Sequence, residues 1–388
     1  MNKIEELLAQ FCPNGVEFKK LGEICVVLRG KRLTKKELSS DGNYPVFHGG
    51  LIPLGRYNNF NRKAFQTMVI NTGSVGEVVW SDVDFWSSDG TFTIQTTERI
   101  NDRFLYFFLK IQEPYLKTQK REGGVPTISR EAVENIQIPI PPLPIQQEIV
   151  SILDKFTQLE AELEAELEER TRQYKYYRND LLNFEGKEVE WKTLGEVGQF
   201  VRGRRFVKDD IIAEGIPCIH YGEMYTHYKI SATQSKSFLE PTLAAKLRVA
   251  HPGDVVIVSA GETIEDIGNG VAWLGESDVV IHDACFTYSH SLNPKYVSYY
   301  LQTNLFRSQI KKYISSGKIS SINAPGLSKA RIPIPPMEEQ ERIVGILDKF
   351  EALVNDISVG IPAEIKARRK QYEYYRGKLL DFKSISNG

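Results

Sequence analysis

Two stretches of this chain are near copies of each other. Ile138-Pro-Ile-Pro-Pro142 leads into Ile149-Val-Ser-Ile-Leu-Asp-Lys-Phe156, and Ile332-Pro-Ile-Pro-Pro336 leads into Ile343-Val-Gly-Ile-Leu-Asp-Lys-Phe350. Each then reaches Gln173-Tyr-Lys-Tyr-Tyr-Arg178 or Gln371-Tyr-Glu-Tyr-Tyr-Arg376. The offset is 332 − 138 = 194 at the first match and 371 − 173 = 198 at the second, so the later copy carries four extra residues. A repeat of this length fixes the number of structural units before any single element is considered.

The duplication extends into more variable sequence. Val16-Glu-Phe-Lys-Lys-Leu-Gly-Glu-Ile24 matches Val189-Glu-Trp-Lys-Thr-Leu-Gly-Glu-Val197, and Leu28-Arg-Gly-Lys-Arg32 matches Val201-Arg-Gly-Arg-Arg205. Pro45-Val-Phe-His48 matches Pro217-Cys-Ile-His220, and Asp89-Gly-Thr-Phe92 matches Asp283-Ala-Cys-Phe286. Leu7-Leu-Ala-Gln-Phe11, Leu181-Leu-Asn-Phe184 and Leu379-Leu-Asp-Phe382 resemble one another, so the chain opens on a stub of helix end, as if cut from a ring.

From Ile145 the apolar positions Ile145, Ile149, Ile152, Phe156, Leu159 and Leu163 alternate steps of four and three, the seam of a helix that packs along another. Leu163 to Leu167 is a stutter, and Tyr174, Tyr177, Leu181 and Phe184 resume the seam. Pro141, Pro142 and Pro144 set its start. The later copy runs Ile343, Ile346, Phe350, Leu353, Ile357, meets Gly360-Ile-Pro362, where a kink or break is expected, and resumes at Ile365, Arg369, Tyr372, Tyr375 and Leu379. Each helix could pack on its own domain; a shared seam favours the two copies packing antiparallel on each other. The glutamates from Glu160 to Glu169 read as a solvated face, the alternative being a face that docks another subunit.

Between the helices, Thr67 to Trp80 reads as strand, glycine turn, strand, and Asp254 to Gly261 followed by Gly270 to Trp273 repeats that plan. Phe104 to Leu109 and Tyr296 to Leu301 read as short helices whose aromatic residues belong to a core. The fold class is α+β: two mixed α/β domains in tandem, pseudo-twofold repeat, separated by two long helices forming an antiparallel coiled coil. The expected boundaries are 1–141, a helix over 142–184, a second domain over 185–335, and a helix over 336–388.

At 388 residues with 41% hydrophobic and 26% charged content, the chain is typical of soluble globular proteins. No run approaches a membrane span and no signal peptide opens it. Cys12, Cys25, Cys218 and Cys285 lack disulfide or metal spacing, which fits a reducing cytoplasm. No phosphate loop, H-E-x-x-H, nucleophile elbow or dinucleotide fingerprint is present. Glu17-Phe-Lys19 and Glu190-Trp-Lys192 have the look of a nuclease E-x-K, but their repeated placement fits a shared first strand. These absences argue against catalytic or metal-binding residues.

Basic residues are the stronger lead. Arg29, Lys31 and Arg32 surround Gly30, and Arg202, Arg204 and Arg205 surround Gly203. Lys120 and Arg121, with Lys117, precede Gly123-Gly124, while Lys311, Lys312 and Lys318 flank Gly317. Glycine admits close backbone approach, and guanidinium binds phosphate or reads guanine. His48 and His220 hold equivalent places, either structural or DNA-contacting.

The Ile-Pro-Ile-Pro-Pro runs, the Gln340-Glu-Arg-Ile-Val-Gly-Ile-Leu helix start and the two-unit cyclic plan resemble the specificity subunit of type I restriction–modification enzymes, across essentially the whole chain. The resemblance implies two target-recognition domains, each reading half of a split double-stranded DNA site. It implies helices that set the spacer and dock two methyltransferase subunits. S-adenosylmethionine, ATP and Mg would then belong to those partners and to motor–nuclease (restriction) subunits, and this chain would catalyse nothing. Gln146, Gln340, Tyr177 and Tyr375 become the expected partner-binding positions; Glu339-Gln340 keeps the family pattern and Ile145-Gln146 departs from it. The competing readings are a coiled-coil adaptor without DNA function and a degenerate stand-alone methyltransferase or nuclease.

Overall fold

The computed structural model describes residues 2–121 and 126–385. The chain forms two units, Met1–Glu164 with Glu364–Gly388, and Ala165–Ala363. The division falls inside one helix, Leu143–Leu181, beside the Leu163–Leu167 stutter.

The Ile-Pro-Ile runs do not start the helices; they close the domains. Phe18–Lys20 pairs antiparallel with Gln137–Pro139 in unit one, and Glu190–Thr193 pairs antiparallel with Arg331–Ile334 in unit two. Both E-x-K sequences therefore fall at the start of a domain's first strand, where Lys19 meets Glu17 and Lys192 meets Glu190, each at 3.2 Å. The prolines that follow end the strand and release the chain into a helix.

Unit one holds an antiparallel sheet in the order Val26–Arg29, Thr91–Gln95, Gln66–Ile70, Val78–Ser81. Unit two repeats it as Gly198–Arg202, Cys285–His290, Val255–Val258, Gly270–Trp273, with Ser231–Ala232 added parallel at the edge. A second sheet in each unit pairs Tyr44–Phe47 with Trp86–Ser87, or Ile216–Ile219 with Val279–Ile281, in parallel register. The central strands are buried on both faces and packed by the helices Asp102–Ile111 and Pro294–Tyr300. Phe104, Phe107, Tyr296, Tyr299 and Tyr300 are almost wholly buried, so these aromatics are core.

The helices pack as expected, with one refinement. Ile145, Ile149 and Leu153 are fully buried against their own domain, so the first turns bind inward rather than along a partner helix. Beyond them, Phe156 stacks on Tyr375 and Arg369 bridges Glu160 and Glu164 in unit one. Rising numbers on one helix meet falling numbers on the other, so the pair is antiparallel. In unit two Tyr177 stacks on Phe350. Leu159 and Ile357, placed in the seam by periodicity, are instead 45% and 74% exposed.

The later copy is two helices, Met337–Asn355 and Ile361–Leu379. Gly360 is needed at the break because a Cβ there would lie 2.4 Å from the Ala352 carbonyl oxygen. The N-terminal helix Asn2–Phe11 packs beside Leu379 and Leu380, and the Val16 N–H donates to the Lys383 carbonyl at 2.8 Å, which joins the chain ends within unit one. No helix among the described residues is long and apolar enough to cross a membrane.

Candidate nucleic-acid interface

The repeated Arg-Gly-Lys/Arg sequences end equivalent strands, and each glycine lies on a crossing backbone. A Cβ on Gly30 would fall 2.0 Å from the Ser88 carbonyl oxygen; on Gly203 it would fall 2.2 Å from that of His282. Only glycine fits such an approach. The ridge is held alike in both units: Gly30 N–H donates to Thr91 and Lys31 N–H to Ser87, as Gly203 N–H donates to Cys285 and Arg204 N–H to Ile281. Ser88 N–H then donates to Phe47 and His282 N–H to Ile219, which brings His48 and His220 to the same ridge.

The nominated cations are exposed: Arg29, Lys31, Arg32, Lys120, Arg121, Arg202, Arg204, Arg205, Lys311, Lys312 and Lys318. Among the described residues none of them pairs with a carboxylate, whereas Lys117 is spent on Glu77. Two are pre-oriented, since Arg202 Nε donates to the Asp283 carbonyl at 2.8 Å and Arg204 Nη1 to that of Lys246 at 2.6 Å. The glycine-flanking basic loops are pinned at equivalent bases, Arg121 bridging Thr127 and Ser315 bridging Ser321. Gly123-Gly124 lie outside the described residues.

The histidines distinguish the units. His48 Nδ1 lies 3.3 Å from Asp89 in unit one. In unit two a cleft of about 490 Å³ is lined by Arg205, Phe206, Lys208, His220, Tyr221 and His282, with Ile319 from the basic loop at its rim. Ring centroids there are 4.6 Å apart for His220–Tyr221 and 4.9 Å for His220–His282. Burial pushes both imidazoles below their ordinary pKa, although Glu223 and Asp283 work the other way. The Gly222 N–H donates to His220 Nδ1 at 3.3 Å, so the neutral ring carries its proton on Nε2. The result is a rim that carries Arg205 and Lys208 together with the carboxylates of Glu262 and Asp283, over a floor of mutually tilted aromatic and imidazole rings, which suits phosphate at the cations and base surfaces within.

Phe206, Lys208, Tyr221, His282 and Ile319 escaped the sequence reading. His282 immediately precedes the Asp283-Ala-Cys-Phe286 match and stands where the earlier copy has Ser88, and that replacement was the available signal.

The nominated partner-binding glutamines require correction. Gln146 is 0% exposed and Gln340 2%. Gln146 Oε1 accepts from Asn101 N–H at 2.8 Å, and its Nε2 donates to the Pro141 and Arg99 carbonyls. Gln340 Oε1 accepts from Asn293 N–H at 2.9 Å, and its Nε2 donates to Pro335. Both amides fasten a helix start to its own domain and offer nothing to a partner. Asp154 and Asp348 complete the clamp by binding Arg103 and Lys295, at 2.8 and 2.6 Å. Tyr177 and Tyr375 remain partly exposed but spend their rings on Phe350 and Phe156, at centroid distances of 5.3 and 5.5 Å.

Comparison with known proteins matches this geometry. The family model for the type I restriction modification DNA specificity domain fits twice, over residues 13–169 and 186–367. The chain is 32% identical to the specificity subunit of the type I restriction enzyme EcoR124I/EcoR124II of Escherichia coli over 407 aligned residues, covering 96% of each. Its fold is similar to the S subunit of the M. genitalium type I system, with a TM-score of 0.57 at 17% identity, covering 94% of this chain and 96% of the other. A chain from a study of type I complex assembly gives 0.63 at 17% identity, over 95% and 98%. With two copies of that domain and a relative matched along its full length, the chain belongs to the DNA specificity subunits of type I restriction–modification systems.

Proposed function

We propose that each unit reads one half of a bipartite duplex site through its basic ridge, and that the paired helices set the spacing between the halves. The observation that carries this reading is the duplicated ridge, where Gly30 and Gly203 pin unpaired cations to matching backbones. Phosphate neutralisation supplies most non-specific affinity. A chain with formal net charge −1 has little to spare, so tight binding is expected only in the assembled complex. Two methyltransferase subunits dock along the helices, and they and the motor–nuclease subunits bring S-adenosylmethionine, ATP and Mg. This chain supplies recognition and no catalytic group.

The test maps N6-methyladenine in cells with and without the gene, then repeats the mapping with Arg202, Arg204 and Arg205 replaced by Ala. A bipartite methylated motif should vanish with the gene. In the triple variant, discrimination in one half-site should fall by about two orders of magnitude, at roughly 1–3 kcal/mol per lost base contact. Subunit assembly should stay intact. An unchanged motif would defeat the proposal.

A further inference from the structure

Unit one carries an apolar hairpin tip that unit two lacks. Between the strands Tyr44–Phe47 and Gly55–Tyr57 lie Leu51, Ile52 and Leu54, which are 51%, 79% and 40% exposed. The equivalent stretch of unit two runs from His220 into the helix Glu223–Thr226, whose Glu223 and Met224 are buried.

The tip rises from the basic ridge. Ser88, the residue beneath Gly30, donates its N–H to Phe47 at 3.0 Å, and His48 faces Asp89. Gly49, at φ +62°, accepts from Ser74 N–H at 2.8 Å and lies against Thr72. Thr72 in turn bridges Thr127, whose carbonyl accepts from Arg121 N–H at 2.9 Å. A continuous run of backbone contacts thus joins the tip to Arg29, Lys31 and Arg32 on one side and to Arg121 on the other. Those cations have no carboxylate partner among the described residues, so the surface they rim is complementary to an anionic partner. Leucine and isoleucine gain nothing from phosphate. On duplex DNA, the apolar group displayed at base edges is the C5 methyl of thymine in the major groove, which admits a two-stranded ribbon.

We propose that this tip enters the major groove and packs on thymine methyls, so that unit one reads A·T pairs by apolar contact. The inference rests on the DNA-recognition reading above.

The experiment uses the complex assembled with its methyltransferase subunits on its mapped site, with each thymine replaced in turn by deoxyuridine. Removal of a contacted methyl should weaken wild-type binding about fourfold, the value of one buried carbon. The Ile52→Ser variant and the Leu51→Ser/Ile52→Ser double variant should bind the thymine and deoxyuridine duplexes equally. Their salt dependence should match wild type because phosphate contacts remain. A melting curve verifies folding, and both substituted residues are exposed. If wild type and variants respond alike at every thymine, the inference is wrong. Loss of methyltransferase subunits from the variant complex would also overturn it, by assigning the tip to a protein partner. A wild-type complex that shifts no duplex would defeat the recognition reading itself, and this inference with it.

Discussion

Where the two units hold their helices they are nearly interchangeable; at their basic ridges they share a backbone and little else. Asn101, Gln146 and Asp154 have counterparts in Asn293, Gln340 and Asp348 that share the central bonds, to which Gln146 adds Arg99 and Asp348 adds the Tyr299 hydroxyl. At the ridges, Ser88 gives way to His282, and the apolar tip of unit one gives way to an aromatic cleft in unit two. Buried amides tolerate no drift because an unmet partner is costly. The basic side chains on either side of the glycine crossing are exposed and can change freely, and beneath it the small buried Ser88 gives way to the larger buried His282.

The clamp gives the largest expected effects. Gln146→Ala would unpair one buried and two partly buried backbone groups, and Gln340→Ala one of each. Losses of about 4 and about 3 kcal/mol are expected, each confined to its own unit. Hydrogen exchange would show this as lost protection in unit one or unit two alone. Equal loss across both units would mean that the clamps are not local.

Acid should separate the units next. Burial lowers His290 to about 4 against an ordinary 6.5, partly opposed by Asp254. The unfolded chain then takes up the proton first as pH falls, so stability is intact above about 6.5 and declines between about 6.5 and about 4, by up to about 3 kcal/mol. His220 and His282, also lowered by burial, act in the same direction. His251 is raised by Asp278 and opposes them, but it is exposed and screened. Unit one contains a single histidine, His48. Unit two should therefore melt earlier as pH drops from 7 to 5, and His290→Gln should flatten that slope. A slope unchanged by the substitution would remove His290 as its cause.

The ridge glycines should behave alike in both units. Gly30→Ala and Gly203→Ala each place a Cβ within about 2.2 Å of a carbonyl oxygen, for a loss of about 2 kcal/mol from forced backbone shift. Weakened binding to one half-site should accompany each, read by methylation of DNA carrying that half-site. A large loss at one glycine and none at the other would show that the ridges differ beneath their side chains.

Much of this plan was legible in the sequence because it is local or repeated. The strand pairs around Thr67–Trp80 and Asp254–Trp273 follow from apolar runs broken by glycine, and Gly360-Ile-Pro362 marks the helix break. The unread parts depend on residues distant in sequence. His220 and His282 meet only because their strands are parallel neighbours, Ile216–Ile219 beside Val279–Ile281. Gln146 looked like a surface residue of a polar helix start, and its burial depends on the chain near Arg99 closing over it. Periodicity also gave Leu159 and Ile357 to the seam, whereas Leu159 is exposed and Ile357 lies beyond the helix end at Asn355.

The smallest expected difference lies in the helix seam. Phe156–Tyr375 and Phe350–Tyr177 are the same stack, both inclined by 26°. A double-mutant cycle to leucine in either unit should give a coupling of about 1 kcal/mol. Unit one adds Arg369, whose guanidinium reaches Glu160 and Glu164 at 2.5 and 2.6 Å; the corresponding place in the earlier copy is Thr171, which donates only to the Leu167 carbonyl of its own helix. Arg369→Ala should cost about 1 kcal/mol or less, because Arg369 and Glu164 are open to solvent and Glu160 is only partly covered, and most of the cost should vanish in high salt. The aromatic couplings should be equal and insensitive to salt. If raising the salt weakened the Phe350–Tyr177 coupling as well, the two seams would differ in electrostatics that the shared stack conceals.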